Sequence, residues 1–210
     1  MAVLEKIPVL EKKVMPKIAP TIPDYLVWEV LDGELLYRRG YKDVLRKLKT
    51  VEEIMGTSSY QSLISDYITK LLHRQLNDEQ YDVLASEIGA HLTHKNNLSI
   101  DIAIYPLLSA DKITRKYTDY PAKIAIEVDI DIDPSVMKDM VYVDKKTKKL
   151  LNFGVEKVIW ILTNIKKIII ATPNSTPLMV DWTEDIEILD GITFNIQAFL
   201  DKRGIDPDRM

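Results

Sequence analysis

Three residues in the central part of this 210-residue chain are of types, and in an order, that could hydrolyse a phosphate ester: Asp101, Glu127 and Lys146. Two carboxylates on neighbouring strands can hold a hard divalent cation such as Mg²⁺ or Mn²⁺, which takes oxygen ligands and keeps waters for a substrate. Such a cation polarises a phosphoryl oxygen and makes a bound water more acidic. A lysine from the next helix can then stabilise the developing charge or orient the attacking water. Asp129, two positions beyond Glu127, is an additional candidate ligand. Spacing alone favours a plainer reading, in which these acids sit near strand ends and pair with helical lysines.

The elements that must position these groups are legible. Ser99–Tyr105 and Lys123–Ile130 both alternate with period two, the signature of strands. In the first, Ile100, Ile102 and Ile104 share a face opposite Asp101 and Ala103. In the second, Ile124, Ile126 and Val128 oppose Ala125, Glu127 and Asp129. A solvated face would favour Lys, Thr or Gln over alanine, so the acid-bearing face is one that a helix or a ligand approaches.

A helix is expected from about Pro134 to Phe153. Asp133-Pro134 offers a capping acid before a first-turn proline, and Gly154 stands where a left-handed C-cap belongs. Val136, Met140, Val143, Thr147, Leu150 and Leu151 form its apolar stripe. Within the lysine run at 145–149, Lys146 lies roughly 40° from Leu150 at about 100° per residue, so it is the lysine best placed to reach the sheet. Lys157–Leu162 then reads as a buried strand, completing a parallel, right-handed β-α-β crossover.

Composition bounds the rest. With 46% hydrophobic residues the chain can bury a sizeable core, and the natural expectation is one domain over 24–210 preceded by an arm at 1–23 that carries prolines at 8, 16, 20 and 23. The formal charge of −4, from 28 basic and 32 acidic residues, argues against a protein that coats nucleic acid through a global positive field, although a local basic patch remains compatible. The absence of cysteine excludes disulfides, cysteine nucleophiles and cysteine-based zinc sites. No run approaches a membrane span and the N-terminus lacks an apolar signal core, so a soluble cytoplasmic protein is expected.

Elsewhere, Asp32-Gly33 marks a hairpin within 25–37. Gly56–Ser59 caps a helix whose Leu63, Ile64, Tyr67, Ile68, Leu71, Leu72 and Leu76 recur at helical spacing. Tyr81–Thr93 is strand-like, and short strands followed by a terminal helix at 197–202 finish the chain. His91 and His94 are three apart on a strand and so face opposite ways, which makes a shared metal a poor reading. Glu87 is either a solvated strand residue or an extra acid for the cluster. The lysines at 145–149, with Arg115-Lys116 and Lys166-Lys167, are either solvated faces or phosphate contacts.

These motifs together resemble the Uma-type restriction endonuclease family of the PD-(D/E)XK nuclease superfamily. Trp28-Glu29-Val30-Leu31-Asp32-Gly33-Glu34-Leu35 matches the family's opening, Ile100-Asp101 its Pro-Asp strand, and Ile126-Glu127-Val128 its acidic strand. Lys146, eight residues before Gly154-Val155, matches the helical lysine, and Trp160 falls on the expected strand. The resemblance implies a restriction-endonuclease-like mixed β-sheet flanked by helices, and a Mg²⁺- or Mn²⁺-dependent endonuclease acting on DNA. It further implies metal ligation by Asp101, Glu127 and the Val128 backbone carbonyl, with Lys146 positioning water or phosphate. A homodimer would suit cutting of two strands. Three departures stand out: Ile100 replaces the proline, Gln61 stands where many members have histidine, and Asp129 replaces the lysine two residues after the acid. The rival expectation is a nucleic-acid-binding or regulatory module that keeps the fold without hydrolysis.

Overall fold

A computed structural model describes residues 22–129 and 137–209. Nearly all of the N-terminal arm, the Asp133-Pro134 cap, Val136 and Ile130 lie outside the described residues. The chain forms a hairpin of β1 (Val27–Leu31) and β2 (Glu34–Tyr37), then short helices α1 (Tyr41–Leu45) and α2 (Glu52–Met55), and the long α3 (Ser59–Gln75). A second, longer hairpin of β3 (Tyr81–Thr93) and β4 (Asn96–Pro106) leads to β5 (Ile124–Asp129), α4 (Met137–Phe153) and β6 (Lys157–Leu162). Strands β7 (Lys167–Ala171), β8 (Leu178–Asp181), β9 (Ile186–Leu189) and β10 (Ile192–Phe194) precede α5 (Ile196–Lys202).

The main sheet has eight strands in the order β2-β1-β4-β5-β6-β7-β8, with β3 also paired to β4. Among the described strands of this sheet, β5 and β6 are the parallel pair, from Ile124↔Lys157 to Asp129↔Leu162, as a helical crossover requires. β9 and β10 form a small sheet of their own rather than extending the main one. Among the described residues no helix is long and apolar enough to cross a membrane.

Two apolar layers hold the sheet. On one face Ile64, Ile68 and Leu72, one per turn along α3, pack with Ile102, Ile104, Ile124, Ile126 and Val128. Full burial of each such side chain is worth about 1.5–3 kcal/mol. On the other face Val143 and Leu150 of α4 lie with Ala103, Ala125, Val158 and Trp160. The two alanines are therefore small because a helix lies over them. Trp160 donates its indole N–H to Thr147 Oγ1 at 2.9 Å, which ties α4 to β6.

One pattern differs from expectation. Ile100 clusters with Leu98, Ala90 and Leu31 rather than with Ile102 and Ile104. The cause lies opposite it, where Ala85 pairs with Ile102 but Ile88 pairs with Ile100. Ser86 and Glu87 together face the single residue Asp101, and both hold left-handed backbone, at φ 81° and 55°. Such a bulge sharpens the twist of a strand pair and so separates residues that would otherwise share one face.

Candidate functional site

The acids sit where two strands part. The β4–β5 ladder runs Ile104↔Ile124, Ala103↔Ala125 and Ile102↔Ile126, and one step further would pair Asp101 with Glu127. Asp101 Oδ2 instead accepts the Val128 N–H at 2.8 Å, so a side chain replaces the ladder bond and the strand ends splay. The Val128 carbonyl accepts Gln61 Nε2 at 2.8 Å. Gln61 itself is fixed in the first turn of α3, where its backbone N–H is capped by Ser58 Oγ. The N-terminus of α3 is thereby pinned to the strand end that carries the acids.

Lys146 comes from the second turn-pair of α4 and is completely buried, at 0% exposure. Its ammonium reaches Glu29 Oε1 at 2.8 Å and lies 3.0 Å from Glu127 Oε1. The first contact is the well-aligned hydrogen bond; Glu127 Oε1 is buried and meets the ammonium only as a poorly aligned ion pair. The rings of Trp28, Tyr142 and Trp160 surround the ammonium at 5.5, 5.8 and 5.4 Å, an arrangement that favours a buried cation. Glu29, on β1, also accepts the Ser99 N–H and hydroxyl on Oε1 and the Tyr142 hydroxyl on Oε2, at 2.9, 3.0 and 2.8 Å.

The electrostatics follow from this inventory. Burial alone would lower the Lys146 pKa, but the negative charges of Glu127 and Glu29 hold it well above the usual lysine value, so the residue is a permanent cation. Burial pushes the Glu127 carboxyl well above the usual carboxylate range, with Lys146 opposing and Asp101 and Glu29 adding to the rise. Burial also raises Asp101, against the Val128 N–H, which favours its ionised form. One buried ammonium, Lys146, is thus shared between Glu29 and Glu127, and with Asp101 beside them the acids outnumber it.

These residues fit a hard divalent cation. Mg²⁺ commonly takes one or two carboxylates and keeps waters, and here two carboxylates line one cleft with Val128, whose carbonyl accepts one hydrogen bond from Gln61, while one oxygen of Glu127 lacks a well-aligned hydrogen bond. Among the described residues no three His, Cys, Asp or Glu side chains gather as a ready-made cage. Asp101, Glu127, Val128 and Asp129 line a common cleft of about 810 Å³ whose lining also includes Arg38, Arg39, Lys49 and Lys138.

No family model matches this chain, and no curated protein does. Among solved structures, the fold matches a putative nuclease belonging to DUF820 from Anabaena variabilis ATCC 29413, with a TM-score of 0.54, 11% identity, and coverage of 77% of this chain and 80% of that one. The fold is restriction-endonuclease-like.

Within that fold the structure brings Asp101, Glu127, Val128 and Lys146 together, and places Asp129 at the same cleft. The bulge also turns Glu87 into the cleft, where Arg38 Nη2 lies 3.6 Å from its carboxylate. His91 Nδ1 contacts Asn97 Oδ1. Lys148 and Lys149 pair with Asp144 and Asp32, away from the acids. Glu29, Ser99 and Tyr142 carry roles that spacing did not assign. One signal for Glu29 was present: on β1 it shares parity with the apolar Leu31, and the structure buries both, Glu29 to 2% exposure.

Proposed function

We propose that this protein is a divalent-metal-dependent phosphodiesterase that cleaves DNA. The observation that carries the reading is the pair of carboxyls, Asp101 and Glu127, brought to one cleft at the splayed end of β4 and β5 with a buried ammonium behind them. Held by Asp101, Glu127 and the Val128 carbonyl, with Asp129 as a further donor, Mg²⁺ or Mn²⁺ would supply polarisation of a phosphoryl oxygen and a more acidic water. Asp101 and Glu127 bind and orient. The Val128 N–H favours the ionised form of Asp101 and so offsets part of the effect of its burial. Lys146 acts through Glu127: its ammonium is sealed from the cleft, so it fixes the carboxylate and adds positive potential beneath the phosphate. Lys49, which lines the same cleft, offers charge to the sugar-phosphate backbone.

A second reading, nucleic-acid binding without hydrolysis, is favoured by two specific features. Lys146 is wholly buried, and the Val128 carbonyl already accepts the Gln61 amide. Gel-shift and cleavage assays on the same labelled single- and double-stranded DNA, with Mn²⁺ or with chelator, separate the two. Metal-dependent products support hydrolysis; retarded but intact DNA under every condition supports the binding module.

A further inference from the structure

We propose that Glu29 is a positioning residue for the metal site: it takes up the charge of Lys146 and so leaves Glu127 available to a divalent cation. This rests on the reading of Asp101 and Glu127 as metal ligands.

The Lys146 ammonium lies between two carboxylates and treats them unequally. Its shorter, well-aligned hydrogen bond goes to Glu29 at 2.8 Å, while Glu127 holds the same ammonium as a longer, poorly aligned ion pair at 3.0 Å. Glu29 is saturated, since Ser99 gives it two donors and Tyr142 a third besides the ammonium. Those four bonds anchor it to β4 and α4, and the residue is 2% exposed, so it cannot swing out to bind a cation itself. Glu127 is the opposite case: it lines the cleft, and one of its oxygens is buried with no hydrogen bond.

If Glu29 lost its charge, the nearest anion for Lys146 would be Glu127, already within ion-pair distance. A cation entering the cleft would then compete with a buried ion pair for that carboxylate. Groups that orient metal ligands from behind typically change affinity by about 10–100-fold when removed.

The test is Mn²⁺ titration by calorimetry into the full-length wild type, Glu29→Gln, and Glu29→Gln combined with Lys146→Met, each checked for folding by circular dichroism. Glu29→Gln should bind Mn²⁺ about 10–100-fold more weakly, and the double variant, which removes the competing ammonium as well, should recover to within a few-fold of wild type. Undiminished binding by Glu29→Gln overturns the proposal, as does a double variant as weak as the single, because a purely architectural role would not be rescued by removing Lys146. Should Glu29→Gln fail to fold, the double variant decides alone, with near-wild-type affinity supporting and lost affinity overturning. A wild type that binds no Mn²⁺ would overturn the metal-site reading and this inference with it, whereas wild-type binding with an unaffected Glu29→Gln overturns the inference only.

Discussion

Asp101 Oδ2 accepts the Val128 N–H at 2.8 Å at the step where the β4–β5 ladder would otherwise pair Asp101 with Glu127. The bond has two consequences. It keeps the strand ends apart so that both carboxylates face the cleft, and it leaves a partly buried backbone donor dependent on one side chain.

Those two roles separate under substitution. Asp101→Asn retains an oxygen for the Val128 N–H, whereas Asp101→Ala removes it and leaves a donor whose loss of partner costs about 1–3 kcal/mol. In urea denaturation Asp101→Ala should be the less stable variant by about that amount, while both should lose divalent-cation binding equally. Equal stabilities would contradict the structural role assigned to the bond.

Lys146→Met should destabilise the protein by about 3–5 kcal/mol, the usual cost of removing one partner from a buried ion pair. The ammonium faces Glu29 and Glu127 inside a ring of aromatic side chains, so its removal leaves two buried carboxylates with no cation. A loss below about 1 kcal/mol by chemical denaturation, the range of exposed pairs, would show that the pair is not buried as described.

Much of this arrangement was legible in the sequence, and the reasons are local ones. The alternation in 123–130, the glycine at 154 and the apolar run at 157–162 fix β5, α4 and β6 within a residue or two where the chain is described. The 100° step along a helix picks out Lys146 from its neighbours, and it is the buried lysine. What stayed hidden is non-local. The Glu29 to Lys146 bond spans 117 positions, and no short window reveals it. The bulge opposite Asp101 was equally invisible, because Ser86 and Glu87 adopt positive φ without the glycine that usually signals it. That bulge is why Ile100 leaves the face of Ile102, and why Glu87 turns toward the acids.

Stability of the metal-free protein should fall as pH rises above the ordinary carboxylate range. Burial raises Glu127 and Asp101 in the folded state, so the folded chain keeps protons that the unfolded chain has released. Their contribution is fully present below the unfolded values and is lost as pH rises through the folded ones, with a limiting slope of about 1.4 kcal/mol per pH unit for each group. Lys146 stays protonated throughout and adds no slope in this window. Glu127→Gln should flatten the profile, measured by denaturation at a series of pH values; an unchanged slope would remove Glu127 as its source.

A divalent cation should reverse that trend. Bound only by the folded state, Mn²⁺ at about 100 times its dissociation constant adds about 2.7 kcal/mol, and the gain should grow with pH because the ligands must be ionised. Thermal denaturation with and without Mn²⁺ at pH 6 and pH 8 measures it. A shift of equal size in Asp101→Asn would place the cation elsewhere.

The most direct measurement is cleavage of plasmid and single-stranded DNA in Mg²⁺ or Mn²⁺ by the wild type and by Glu127→Gln purified in parallel. The proposed chemistry requires products from the wild type alone, abolished by chelator and absent from the variant. Cleavage by both proteins, or by neither while DNA is bound intact, would contradict it.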